Sequence, residues 1–524
     1  MQAIYPPEGC IGSYEKQAEA VLAGGCQELN SDKSDSFLCS PLFSWLGQCP
    51  VIPLSQVSAL ESVDDVCSTA RANDPLCVSL RTADQLARLS ATSSSSVDQE
   101  NARSAWESAI AEARKALLDD ADSARRDPVY RYLLRERTMS LLVYNVLTEL
   151  GSRPAPTDYA KQAQRVISEH FPSYEEGAFP LALLEHAPQT TELCNSDNPQ
   201  GLLIFPGVVR LTERDEFSEQ AQAIESALSC FHVRRVETGS FVEPSINADQ
   251  GEIAAAALSE EFGNIPLHTL GYSQGATNSL TTLVNKPDIR ERVRSVLVMN
   301  SAAHGSEVAD VGASLLSNVV GQFSETCNND FIAPLCESAL ADSPIPSDFL
   351  LELMAQGMGV PVGTLNQFIA AEDQVSDAPN LREFFLRHLP GIESLTTNTS
   401  DTFWAQRSSE LPQHALYYSF RSVISDTSAN LPPSNALFHS HLGRINSQLP
   451  YNDMQVRLEN QSLGDSVAQL EVVGPVAEGN HWQWELATGA VPEDTMPASM
   501  TDRIPHREIL VGYFQTLVEF GVTE

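Results

Sequence analysis

Positive charge is what this sequence has least of. Across 524 residues, 32 Lys and Arg stand against 69 Asp and Glu, a formal net charge of −37. Such a surface repels polyanions, which argues against nucleic acid as a partner and against anionic lipid headgroups. Long apolar runs are also missing. Nothing approaches the roughly 20 uninterrupted apolar residues of a membrane helix, so no stable membrane insertion is expected. The most apolar stretches, Leu202–Phe205 and Val296–Met299, are strand-sized. No repeat of fixed period is visible, which argues against a solenoid or propeller. No C-x-x-C pair occurs, a poor match to a zinc or redox site. No signal-peptide pattern opens the chain at Met1-Gln-Ala-Ile-Tyr-Pro-Pro. If the protein is exported, the expected form is a mature chain behind an added Met.

What is present fits a globular protein of several units. Hydrophobic residues make up 42% and charged residues 19%, an ordinary balance for a packed chain. The ten cysteines fall as neighbours in sequence. They suggest the pairs Cys10–Cys26, Cys39–Cys49, Cys67–Cys77, Cys194–Cys230 and Cys327–Cys336, in a secreted, periplasmic or cell-surface setting. A set of buried free thiols is the alternative.

The pattern changes along the chain. Residues 1–95 are rich in Cys, Pro and Ser and read as irregular structure with short helices, ending in a linker over Ser90–Ser96. A helical region spans 96–195. Trp106, Ile110, Ala113 and Leu117 recur at helical spacing, as do Val129, Leu133, Val143 and Leu147, and Tyr159 to Phe171 reads as a further helix. From about 196, short apolar runs alternate with amphipathic segments, the pattern of a mostly parallel sheet flanked by helices. The runs are Leu202–Phe205, Phe231–Val236, Leu267–Leu270, Val296–Met299, Ala415–Phe420 and Leu470–Val473. This α/β pattern divides into a first part, 196–311, a helical cap insertion, 312–411, and a second part, 412–524. The insertion carries apolar residues such as Phe349, Leu353 and Met354, suited to an acyl pocket or to contact with a lipid interface. The chain closes on an amphipathic helix through Ile509, Leu510, Tyr513, Phe514 and Leu517.

Gly271-Tyr-Ser-Gln-Gly275 is a G-x-S-x-G motif between an expected strand and an expected helix. That context makes Ser273 a candidate nucleophile, presented at a helix N-terminus where developing negative charge is favoured. An accidental Gly-rich turn is the bland alternative.

Two further stretches carry a resemblance. Met299-Asn-Ser-Ala-Ala-His-Gly-Ser-Glu-Val-Ala-Asp310 resembles the H-x-G-S-x-x-A-D segment of bacterial triacylglycerol lipases, one residue shorter between His304 and Gly305. Ser394-Leu-Thr-Thr397, Phe403 and Tyr417-Tyr-Ser419 resemble the path by which those lipases leave their lid. With the Ser273 motif, the likeness covers roughly residues 200–485. It implies the α/β-hydrolase fold and a lipase or carboxylester hydrolase acting on neutral hydrophobic esters, without a cofactor.

A serine hydroxyl needs a neutral imidazole to take its proton and an acid to orient that imidazole. In this fold their order is Ser, acid, His. Asn452-Asp-Met-Gln-Val456 is similar to the lipases' acid loop, which makes Asp453 the acid, with Met454 where the lipases have Gly. Asp426 and Asp465 are rivals. His481, in Gly479-Asn-His-Trp, matches the stretch holding the family's base; His506, at the start of the last helix, competes. His304, His439 and His441 read as structural. The oxyanion donors expected are the backbone N–H groups of Gln274 and, from the loop Phe205-Pro-Gly-Val-Val209, Val208. The paired Asp ligands of the family's calcium ion have no match here, and no metal is expected. The same triad would serve a polyester depolymerase, peptidase, thioesterase or acyltransferase. A catalytically inactive hydrolase fold serving as a binding module is a further alternative. Oligomeric state is not legible.

Overall fold

The computed structural model describes residues 62–68, 71, 73–92, 95–149, 156–171, 174, 194, 197–207, 217–239, 241–310, 312–313, 389–424, 442, 451–464, 467–479, 481 and 505–524. The order of its main elements is α1 (Pro75–Thr92), α2 (Ser96–Asp119), α3 (Pro128–Glu149), α4 (Pro156–His170), β1 (Gln200–Phe205), α5 (Ser218–Ala227), β2 (Phe231–Arg235), α6 (Pro244–Phe262), β3 (Leu267–Tyr272), α7 (Gln274–Asn285), β4 (Val293–Met299), α8 (Thr397–Arg407), β5 (Leu416–Val423), β6 (Glu471–Glu478) and α9 (His506–Glu519).

Each of the six apolar runs is a strand. They form one sheet in the order β2-β1-β3-β4-β5-β6, and every pairing is parallel. Parallel neighbours require crossovers, and the helices that make them cover both faces of the sheet. The four central strands are therefore buried along their length, apart from Arg294 near the start of β4. Their apolar residues do not alternate with polar ones, because neither face meets water. The side chains divide between two apolar clusters. Leu203, Phe205, Val296 and Val298 pack on one side with Leu280 and Leu283 of α7. Leu202, Ile204, Leu297 and Met299 pack on the other with α9.

The N-terminal helices belong to this second cluster. Trp106 of α2, Val129, Leu133 and Leu142 of α3 and Ile167 of α4 share it with the sheet and with Tyr513, Phe514 and Leu517 of α9. At Gly512 the helices α3 and α9 come so close that an added Cβ would lie 2.8 Å from the backbone nitrogen of Leu142. Arg137 of α3 is fully buried and binds both carboxylate oxygens of Glu519, at 2.7 and 2.9 Å. A buried guanidinium is tolerated only when its partner is fixed this way.

The N-terminal region is mainly helical where it is described, as expected, and one part of it changes: residues 75–92 form a single 18-residue helix, where short helices and irregular structure were expected. The Ser-rich stretch is no extended linker: α1 runs to Thr92, and Ser95 caps α2 by accepting from the Asp98 N–H. Serine is a poor helix-interior residue but a strong N-cap, so a serine run can mark a helix boundary as well as a linker. The disulfides Cys67–Cys77 and Cys194–Cys230 are formed. The expected pairs Cys10–Cys26, Cys39–Cys49 and Cys327–Cys336 lie outside the described residues, as does most of the expected cap insertion. Among the described residues no helix is long and apolar enough to cross a membrane.

Candidate active site

The site is built on the turn between β3 and α7. Ser273 stands between them with φ 53° and ψ −122°, a left-handed conformation that side chains other than glycine avoid. The two motif glycines make the turn feasible. A Cβ on Gly271 would lie 2.6 Å from the Cα of Ala276, and one on Gly275 only 1.9 Å from the carbonyl oxygen of Phe205. The start of α7 thus runs directly over the carboxyl end of β1. Gln274 occupies the first position of α7, where the backbone N–H has no partner within the helix.

Asp453 and His481 arrive on loops from the sheet's other half. After β5, the Ile424 N–H donates to the Asn452 carbonyl at 3.0 Å and brings the next loop over the strand ends. Asp453 is fully buried there. Its Oδ1 accepts the N–H groups of Gln455 at 3.0 Å and Val456 at 2.8 Å, which leaves Oδ2 to point outward. After β6, the Gly479 N–H donates to the Val423 carbonyl at 2.9 Å, and the His481 N–H to the Asp453 carbonyl at 3.0 Å.

The result is a continuous hydrogen-bonded chain. His481 Nδ1 lies 2.7 Å from Asp453 Oδ2, and His481 Nε2 lies 2.7 Å from Ser273 Oγ. All three side chains are buried. An ionised Asp453 only accepts, so it selects the tautomer with the proton on Nδ1. Nε2 is then the acceptor facing the serine hydroxyl. This arrangement can withdraw a proton from Ser273 as its oxygen attacks, and return it to a leaving group.

The other sequence candidates fall elsewhere. His304 donates from Nε2 to the Leu463 carbonyl at 2.8 Å, and its ring stacks on Trp404 at 4.6 Å. His506 is buried in the first turn of α9 and takes no part in the Ser273 chain. Val208, Asp426, Asp465, His439 and His441 lie outside the described residues. Gly207, the last described residue of the loop that holds Val208, is buried beside the site. Among the described residues no cluster of His, Cys, Asp and Glu could hold a metal ion.

The two lipase-like stretches meet in space. The Thr397 N–H and hydroxyl both donate to Asp310, each at 2.9 Å. Gly305, at φ 79°, lies against the Thr397 backbone so closely that a Cβ would clash at 2.6 Å. The Ser306 N–H donates to the Leu395 carbonyl at 2.8 Å, and its hydroxyl donates to the Gln455 carbonyl at 2.5 Å, next to the acid turn. A cleft of about 420 Å³ opens beside these elements. It is lined by Thr277 and Leu280 of α7, Phe403 of α8 and Pro390, and does not include Ser273.

Three features of the site were not read from the sequence. Tyr272, just before the nucleophile, donates from its hydroxyl to the carbonyl of His481. Alternation along β3 sends its side chain to the opposite face from Ser273's helix, and no pattern marks the contact. Asn300 and Met454 adopt positive φ, 43° and 84°. Met454 holds a conformation that glycine takes most easily, although it is a buried methionine. Its departure from the acid loop that this stretch resembles was the one signal the sequence offered.

A sheet in this order, with a strained serine between a parallel strand and the following helix and a hydrogen-bonded Ser–His–Asp chain above the strand ends, is the architecture of the α/β-hydrolases. Solved structures similar to this one include a metagenomic carboxyl esterase (16% identity, TM-score 0.41, covering 62% of this chain and 76% of that one). EstA from Clostridium botulinum is similar at 13% identity and TM-score 0.35, over 63% of this chain and 88% of its own. The mature lipase BlEst2 of Bacillus licheniformis is similar at 14% and 0.31, over 57% and 87%. No family model matches the chain, and no curated protein matches it in sequence.

Proposed function

We propose that this chain is a serine hydrolase that cleaves carboxylic esters of hydrophobic acyl chains, a lipase or esterase. The observation that carries the reading is the unbroken 2.7 Å and 2.7 Å chain from Ser273 through His481 to Asp453 at a strained turn. In this mechanism Ser273 Oγ attacks the ester carbonyl while His481 Nε2 takes its proton. Asp453 stabilises the imidazolium so formed. The oxyanion is held by the Gln274 N–H and by the Val208 N–H, the second donor read from the sequence. His481 then gives its proton to the departing alcohol. Water, activated by the same imidazole, releases the acid from the acyl-enzyme. No cofactor takes part.

The two disulfides support work in an oxidising compartment, outside the cytoplasm. The experiment is hydrolysis of p-nitrophenyl esters of increasing chain length, wild type beside Ser273→Ala, with a fluorophosphonate probe on both. Wild type should hydrolyse and label. Ser273→Ala should lose several orders of magnitude in rate and all labelling. A wild type that neither hydrolyses nor labels is a binding protein on a hydrolase fold. Labelling with amides or thioesters preferred over oxygen esters would change the substrate class and keep the mechanism.

A further inference from the structure

The three residues of the site hang on separate loops, so something must fix those loops against one another. β4 ends at Met299, and the chain turns away at Asn300 in a left-handed conformation. β5 runs on to Val423. The edge of β5 that faced β4 therefore loses its strand partner just after Phe420, whose carbonyl still accepts the Asn300 N–H at 3.0 Å. At Ser422 a side chain replaces the missing strand. The Ser422 N–H donates to Gln461 Oε1 at 2.8 Å, and Gln461 Nε2 donates to the Ser422 carbonyl at 3.0 Å. A primary amide presents a donor and an acceptor side by side and so mimics a backbone peptide.

Gln461 has one donor left. It goes to the Val456 carbonyl at 3.1 Å, the carbonyl that also accepts the Asp453 N–H at 3.2 Å and so closes the acid turn. On the other side, Asn300 Nδ2 donates to the Ser422 hydroxyl at 2.6 Å, two residues before Ala302, whose N–H reaches the Ser273 carbonyl at 3.3 Å. Gln461, Ser422 and Asn300 are all fully buried.

We infer that Gln461, Ser422 and Asn300 form a positioning relay that holds the Asp453 turn in register with the Ser273 turn. The inference rests on the serine-hydrolase reading above. None of the three touches the reacting atoms. Their effect is on the aim of one carboxylate: if the 453–456 turn shifts, Oδ2 moves off the Nδ1 axis and the imidazolium loses stabilisation. The substrate's own contacts stay as they were. A loss of that kind falls on the chemical step and leaves substrate binding in place.

The test uses Gln461→Met, which keeps the length and removes the amide, and Asn300→Gly, which keeps the left-handed backbone and removes only the side chain. Both are assayed on a soluble ester as kcat and KM separately, beside the folded fraction. Gln461→Met should lose about 10- to 100-fold in kcat with KM little changed. Asn300→Gly should show a smaller change in the same direction. The two losses should not add, because both act through Ser422. A kcat that falls in both variants only as the folded fraction measured by circular dichroism falls, or a loss that lies in KM, would overturn the relay and leave the hydrolase reading standing. A wild-type enzyme that neither hydrolyses nor takes the fluorophosphonate label would remove both.

Discussion

At the scale of single residues, two histidines compete for one role, and geometry separates them. His481 contacts both Ser273 and Asp453 at 2.7 Å, whereas His506 sits in the first turn of the last helix. His481→Ala should be as damaging to ester hydrolysis as Ser273→Ala. His506→Ala should keep most of the activity. Asp453→Asn should be severe as well, because an amide can present its NH₂ to Nδ1 and favour the wrong tautomer. Rates of the purified variants on one ester decide this: loss of activity in His506→Ala with His481→Ala tolerated would displace His481 from the mechanism. That His481 would stand beside Ser273 was legible from its place just after the last strand and from the Asn480-His481 pair. The Tyr272 hydroxyl that holds the His481 carbonyl was not, because the two residues are 209 positions apart and neither contact leaves a local pattern.

At the scale of elements, the strands were the most legible part and the helix contacts the least. A buried parallel strand is a short apolar run with no alternation, and each of the six runs became one. Helical spacing likewise marked α2, α3 and α9. It gave no sign that α3 and α9 would cross at Gly512. There, propensity and packing make opposite demands. Alanine is better than glycine in a helix interior by about 1 kcal/mol. The added Cβ, however, would sit 2.8 Å from the backbone nitrogen of Leu142 and 3.2 Å from the Leu141 carbonyl carbon. Backbone atoms cannot swing aside, so overpacking of about 1–3 kcal/mol should win. Gly512→Ala should lower the melting temperature, and a rise would mean that the two helices are not in contact. The same argument at Gly275 is stronger, since the overlap there is with the Phe205 carbonyl itself.

At the scale of the whole molecule, the N-terminal helices and the parallel sheet share one apolar cluster. A division read from composition at residue 195 therefore separates patterns of sequence and does not separate cores. Beneath that cluster His268 of β3 is fully buried, with Nδ1 2.8 Å from the Ser295 hydroxyl and Nε2 3.3 Å from Gln200. Burial, with a smaller contribution from Arg294, pushes its pKa down to about 3 from 6.5. The sign of the consequence is fixed. Between those two values the unfolded chain binds a proton that the folded chain refuses, so stability falls as pH falls from about 6.5. From pH 7 to pH 5 the loss from this one group is about 2 kcal/mol. His268→Gln should lose about that much less than wild type across the same interval, measured by urea unfolding with the disulfides intact. Equal losses in the two proteins would mean that His268 is protonated in the fold.

The sequence by itself determined the elements and their order. It marked six strands, the serine turn and the succession of serine, acid and histidine, because these depend on periodicity, turn chemistry and neighbours within a few residues. Tertiary structure decided what those elements do to one another. It placed Met454 in a glycine's conformation and put a glutamine side chain where a strand had ended. It also buried an arginine of α3 against a glutamate of α9, 382 residues away. The reason is physical. A hydrogen bond or a close approach between distant segments depends on the path of all the chain between them, and no local pattern of residues records that path.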